Sequence, residues 1–157
     1  MSKLIIPALD PASVEAIPSA AAPEPFRSLI GERVKRRLGD ALGLTQFGVN
    51  LVTIGPGGKS ALRHWHTHEE EFVYMIAGEV VLVTNGGEQT LTAGMCAGYP
   101  ANSGDAHQLI NRSDKPVTYL EVGTRIAADN AFYPDDDLMW LEKDGDFVPA
   151  HKDGTPY

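Results

Sequence analysis

The chain has 157 residues, a net charge of −8, and 43% hydrophobic and 22% charged residues, the profile of a globular domain large enough to bury its own core. The acidic balance argues against nucleic acid or a membrane surface as a partner, since both attract basic patches; the short run Lys35-Arg36-Arg37 lies between Glu32 and Asp40 and reads as a solvated edge. No apolar run approaches the roughly 18 residues of a spanning helix, the N-terminus lacks the apolar core of a secretory signal, and a single cysteine, Cys96, forms no internal disulfide, so a reducing cytoplasm is the expected location.

Residues 1–25 carry prolines at 7, 11, 18, 23 and 25, which remove backbone donors and fix φ. An extended arm is expected there, either a loose tail or an arm lying across its own domain or a neighbouring subunit, with Leu4, Ile5 and Ile6 favouring docking; one barrel domain is expected over 26–157. Residues 26–44 show neither a helical nor a strand period, and Gly31, Gly39 and Gly43 break any long helix; short strands or turns are expected. From Gln46 the signal is β. Strand-length runs occupy 47–54, 60–66, 71–78, 79–85, 88–94, 95–100, 107–111 and 116–125, most of them separated by turn residues. Asn85-Gly86 between two alternating runs is a strong hairpin signal. Short strands at this spacing predict a closed barrel or a double-sheet sandwich.

In the run 71–78, Val73 and Met75 lie on one face while Phe72, Tyr74 and Ile76 lie on the other. A strand buried on one side alternates apolar with polar residues, so the second face requires a cover, from the arm, the C-terminal segment or another subunit, and a homodimer is expected. In the tail from Ala131, Asp135-Asp136-Asp137 lacks the spaced oxygens and glycine of a calcium loop and reads as a solvated turn. Residues 138–143 are expected to form a short strand or helix over the barrel, and His151 to sit at the surface.

The chemistry concentrates in 58–78, where His64, His66, His68, Glu69, Glu70 and Glu71 fall within eight positions. On a strand over 60–66, His64 and His66 share a face and Trp65 points away. Glu71 shares a face with Val73 and Met75. Two imidazoles and one carboxylate from adjacent antiparallel strands are the parts of a facial triad, which holds a divalent metal and leaves positions open. Neutral imidazole and carboxylate suit iron(II), manganese, nickel or zinc, and each buried imidazole needs a partner in any case. Two other motifs fail: the Gly-Lys-Ser at 58–60 has Thr53 where a phosphate-binding loop needs glycine, and Phe72 stands where a zincin helix needs its second histidine after His68.

The same stretch resembles the first motif of the cupin superfamily, G(X)5HXH(X)3–4E(X)6G, through Gly58, His64, His66, Glu71 and Gly78. Gly94, Pro100, Gly104, His107 and Asn111 resemble the second, G(X)5PXG(X)2H(X)3N, except that residues 101–103 lengthen the turn after Pro100 where the pattern has one residue. The resemblance covers roughly 47–125. It implies an all-β cupin jelly-roll barrel (a double-stranded β-helix), here with an extended N-terminal arm. It also implies one divalent transition metal held by His64, His66, Glu71 and His107, where spacing alone gives the first three. Open positions would take water, dioxygen or a chelating substrate. His68 is read as a rim residue or, alternatively, a further ligand or base; Glu69 and Glu70 are read as solvent-facing turn residues. Tyr99 and Gln108 are candidates to line a pocket, whereas Tyr74 and Arg63 fall on the opposite face by alternation. Cys96 reads as a small buried apolar residue, and Asn111-Arg112-Ser113 as a chance glycosylation sequon. The implied function is a metal-dependent enzyme on a small-molecule substrate, of dioxygenase, isomerase or decarboxylase type. The alternative is a non-catalytic ligand-binding or sensor module, and a storage role is a third reading. Neither nucleic acid nor membrane is an expected partner.

Overall fold

A computed structural model of the protein describes residues 4–18 and 22–157, so the expected arm lies partly outside the described residues. Thirteen strands follow in order: β1 Ile17–Pro18, β2 Arg33–Arg37, β3 Phe47–Ile54, β4 Trp65–His66, β5 Glu71–Ala77, β6 Glu79–Thr84, β7 Gly87–Thr92, β8 Cys96–Tyr99, β9 Gln108–Ile110, β10 Val117–Thr124, β11 Ala131–Tyr133, β12 Leu138–Lys143 and β13 Asp146–Ala150. One helical turn, Leu38–Ala41, follows β2. The ladders are antiparallel and form sheets in the orders β1-β2-β3-β10-β5-β8, β13-β12-β11-β4 and β7-β6-β9. The two smaller sheets are joined by isolated bridges His64↔His107 and Lys59↔Ile110 and together face the six-stranded sheet. This is the expected all-β jelly roll.

The core lies between the walls. Val52, Ile54, Val73, Met75, Val117 and Tyr119 from the six-stranded sheet meet Val80, Leu82, Leu91 and Leu109 from the β7-β6-β9 sheet. A second cluster, Ala22, Phe26, Ile30, Leu62 and Leu138, packs the segment before β2 against β12. Gly58 is fixed by space, and Gly78 by space and φ together. A Cβ on Gly58 would lie 2.6 Å from the Glu32 carbonyl oxygen, and one on Gly78, at φ +81, would lie 3.1 Å from Val117 Cγ2.

The β6–β7 hairpin closes through Asn85-Gly86 as expected. A second hairpin, β12–β13, turns at Asp144 and Gly145 with φ of 55° and 90°; both signs match the two-residue turn that favours Asp-Gly. Three expectations need correction here. The run 60–66 bends before His64, and its ladder is confined to Trp65–His66, which pairs with β11 and not with β5. Cys96 is exposed because it lies opposite Tyr74 on the outward face of the edge strand β8. Lys35 is no solvated edge residue: it points inward, half-buried, against a carboxylate of the barrel. Leu4, Ile5 and Ile6 are 53%, 77% and 68% exposed on this chain, so the docking expected for them would fall to a neighbouring subunit.

Candidate metal centre

His64 and His107 face each other across a backbone bridge, each amide donating to the other's carbonyl at 3.1 and 2.8 Å. His66 follows two residues on, in β4. Glu71 opens β5 in the opposite wall, and pairs across the sheet with Tyr99 and Gly123. The carboxylate thus comes from a facing sheet and not, as alternation within one sheet implied, from a neighbouring strand. Trp65 points away, stacked on Phe132 with centroids 5.1 Å apart.

Three imidazole Nε2 atoms approach one oxygen, Glu71 Oε2, at 2.9 Å from His107, 3.8 Å from His66 and 3.9 Å from His64. His64, His66 and Glu71 offer ligand atoms that all lie within 4.8 Å of one another; His107 joins the set through Glu71. Ligand atoms about 2.1 Å from a common ion are separated from each other by roughly 3–4 Å, so the contacts with Glu71 have the right scale.

The outer nitrogens fix the tautomers. His64 Nδ1 donates to the Leu62 carbonyl at 2.8 Å and His66 Nδ1 to Asp129 Oδ2 at 2.6 Å, which leaves the inner nitrogens to act as ligands. Burial, outweighing the Glu71 charge, pushes His64 down to about 4, so at neutral pH its Nε2 carries a lone pair. That lone pair faces a carboxylate. Burial opposes the charge of Glu71, yet the hydrogen bond from His107 and the neighbouring imidazoles hold it well below the usual carboxylate range. Two acceptors aimed at each other in a buried site are unfavourable unless a cation lies between them. The residues present therefore fit a divalent ion.

Around them, Tyr99 stacks on His107 with centroids 3.5 Å apart and Tyr133 on His64 at 5.2 Å. The cluster opens on a cavity of about 300 Å³ whose walls include Tyr99, Tyr133, Trp140, Arg33, Lys35 and Glu121.

Of the six residues crowded at 64–71, His68 is exposed at the rim, bonded to Thr67 Oγ1 at 2.8 Å. Glu70 is exposed, but Glu69 is half-buried and accepts from the Ile126 amide at 2.9 Å, which corrects its reading as a solvent-facing residue. Tyr99 lines the cavity, while Gln108 does not; Tyr74 is 44% exposed on the outer face and Arg63 pairs with Asp135. The lengthened turn after Pro100 docks on the site, its Asn102 amide donating to the His66 carbonyl at 2.8 Å. Asn111 is fully buried. Its amide donates to the carbonyls of Ile54 and Lys115, and its oxygen accepts from Ser113, so it ties β3 to the turn before β10 and cannot present a glycosylation site.

Sequence reasoning missed Asp129 and the Arg33–Lys35–Glu121 group. Asp129 is 3% exposed and accepts from His66, from the amides of His68 and Glu69, and from Thr67. Nothing in a chain distance of sixty-three residues announces that contact. The alternation of Arg33 and Lys35 in β2 was a usable signal, because it sets two charges on one face of a strand.

The family model of the Cupin domain matches residues 50–123. A sugar phosphate isomerase from a cupin superfamily of Silicibacter pomeroyi superposes with a TM-score of 0.91, at 43% identity over 96% of each chain. A chain from Acidithiobacillus ferrooxidans that carries the same enzyme name provisionally gives 0.73, at 28% identity over 81% of each. The polyketide cyclase of Streptomyces resistomycificus, 21% identical over 79% of this chain and 80% of its own, shares the fold with a TM-score of 0.61. No curated protein matches the chain in sequence.

Proposed function

The chain belongs to the cupin superfamily, and from that premise we propose that it is a metal-dependent enzyme of isomerase type acting on a small hydroxy-carbonyl metabolite of the sugar kind. The observation that carries the reading is the convergence of three imidazole Nε2 atoms on Glu71 Oε2 at one wall of a cavity of about 300 Å³. The similarity to a chain named as a sugar phosphate isomerase supports isomerase over dioxygenase or decarboxylase chemistry. His64, His66, Glu71 and His107 would hold the ion. A divalent ion there, whether iron, manganese, nickel or zinc, supplies Lewis-acid polarisation of a carbonyl or hydroxyl oxygen.

The chain's own residues do the rest. Asp129 and the Leu62 carbonyl engage the outer nitrogens of His66 and His64, which aims the inner nitrogens at Glu71. Tyr99 and Tyr133 clamp the rings of His107 and His64 and form aromatic walls that limit water beside the reacting carbon. Burial raises both phenols far above their ordinary value, so they stay neutral and can donate to a substrate oxygen; the Tyr99 hydroxyl is buried with no partner among the described residues. About 300 Å³ suits a metabolite of a few carbons, at the small end of ligand pockets.

A homodimer is proposed on the same physical ground as before. Phe72, Tyr74 and Ile76 are 41%, 44% and 47% exposed along β5, with Met95 at 48% and Phe47 at 39% nearby, an apolar sheet face that a second copy would cover.

The test is metal analysis after purification without added metal, followed by NMR of aldose–ketose pairs in deuterated water. One ion per chain, with turnover lost in Glu71→Ala and His66→Ala, supports the enzyme. Saturable ligand binding without turnover supports a binding module, and far less than one ion per chain after reconstitution removes the metal reading.

A further inference from the structure

Two cations and one carboxylate line the metal cavity in the six-stranded wall that also carries Glu71. Arg33 and Lys35 alternate on β2, so both side chains enter the barrel, where they are 10% and 21% exposed. Both reach Glu121 on β10. The guanidinium donates to Oε2 at 3.0 Å, and the ammonium to Oε1 at 2.8 Å, an oxygen that also accepts from Asn50 at 3.0 Å. The Tyr119 hydroxyl lies against the same guanidinium. Burial opposes the charge of Glu121, but Lys35 and Arg33 hold it below the ordinary carboxylate range.

One carboxylate does not neutralise two cations. Buried charges are costly unless paired, and a chain of net charge −8 has no general shortage of carboxylates to pair them. Glu71, the other carboxylate at this cavity, faces the three imidazoles. The two cations at the wall of the substrate cavity therefore outnumber the carboxylate they share, an arrangement that favours an incoming anion. Glu121 shows the geometry that anion would use, since each of its oxygens meets a different cation.

Resting on the reading of this cavity as a substrate site, we propose that Arg33 and Lys35 form the subsite for the phosphate of a phosphorylated substrate. Glu121 occupies the pair in the free protein and yields it when the phosphate arrives. A phosphate dianion balances both positive charges and offers three oxygens to a fork and a point charge, the two recognition modes of arginine and lysine. The phosphate then anchors one end of the molecule while the hydroxy-carbonyl end lies at the histidine cluster, within a cavity large enough for both.

The test is calorimetric titration of metal-free and metal-loaded protein with inorganic phosphate, glycerol 3-phosphate and glycerol. Phosphate-bearing probes are expected to bind both forms, with glycerol binding neither. Lys35→Gln removes a charged hydrogen bond and is expected to weaken binding about tenfold or more, with metal content unchanged. Glu121→Gln, which removes the competing carboxylate, is expected to tighten it, and this second variant keeps the test decisive should Lys35→Gln fold poorly. Absence of binding in both forms overturns the subsite, as does a Glu121→Gln protein that binds phosphate more weakly than native. Because the metal-free arm reads the anion alone, failure of the metal site leaves this result intact, and a metal-loaded protein indifferent to phosphate refutes the subsite without touching the metal.

Discussion

Asp129→Asn isolates the role of the carboxylate behind His66. The native side chain is buried and divides its work: Oδ1 accepts from the His68 amide at 2.8 Å, the Glu69 amide at 3.1 Å and Thr67 at 3.3 Å, while Oδ2 accepts from His66 Nδ1 at 2.6 Å. Asparagine keeps one oxygen, which the three loop donors will claim. Its amide nitrogen then faces His66 Nδ1, donor against donor. The imidazole can relieve the conflict by moving its proton to Nε2, the nitrogen 3.8 Å from Glu71 Oε2, and that protonation removes a ligand lone pair. Loss of such an orienting partner costs about 10–100-fold in metal affinity, or roughly 1.4–2.7 kcal/mol. The loop bonds survive, so thermal stability of the metal-free protein should fall by less. Competition titration against a chromophoric chelator measures the first quantity and a melting curve in excess chelator the second. A folded Asp129→Asn protein with native metal affinity refutes the assignment of His66 as an oriented ligand.

In metal-free protein, His64 is held down to about 4 by burial; below its usual value near 6.5 the unfolded chain takes up a proton that the native state refuses, so stability is lost as pH falls from about 6.5 to 4, by on the order of 3 kcal/mol. Urea midpoints across that window check this, and His64→Gln should flatten the slope. His66 runs the other way: burial is outweighed by the Asp129 bond and its value rises, so its contribution is present below 6.5 and fades as pH climbs through the raised value. Gly78→Ala combines a left-handed φ with a Cβ 3.1 Å from Val117 Cγ2 and should cost about 2–4 kcal/mol in denaturant unfolding. If the outer face of β5 is a dimer interface, Ile76→Glu should sediment as a monomer under conditions where the native protein is dimeric; a monomeric native protein at micromolar concentration removes that proposal.

What the sequence revealed follows from which physical signals are local. Strand runs, the Asn85-Gly86 turn, and the separation of Val73 and Met75 from Phe72, Tyr74 and Ile76 are written in neighbouring residues, and the fold carries them, apart from the run 60–66, which is a strand only at Trp65–His66. Asp144-Gly145 is the same kind of turn signal and was legible, but it lay in a tail read mainly for its acidic run. The pairing of β4 with β11 was not legible: alternation places His64 and His66 on a common face without saying which strand lies opposite. Lys35 was misread because a basic triplet was judged by its charge rather than by the two-residue period that sends Arg33 and Lys35 inward while Arg36 reaches the Val14 carbonyl outside. Asp129 depends on where the loop after β10 returns, and no local pattern encodes that.

The origin of the ligands links the site to the stability of the barrel. His64 and His107 sit where the two smaller sheets meet, and Glu71 opens a strand of the facing wall. No local unit of the chain contains the whole set, so an ion bound there draws both walls together and binds the folded barrel in preference to the unfolded chain. Mass action then stabilises the fold by about 2.7 kcal/mol at a free ion concentration one hundred times the dissociation constant. For a domain near this length, each kcal/mol moves the melting temperature by about 2–4 °C, so chelation should lower it by roughly 5–10 °C. The same treatment of Glu71→Gln, which keeps the shape but loses the anionic ligand, should shift it far less. A melting curve of the native protein that does not respond to chelator and to ion readdition would show that no ion bridges the two walls.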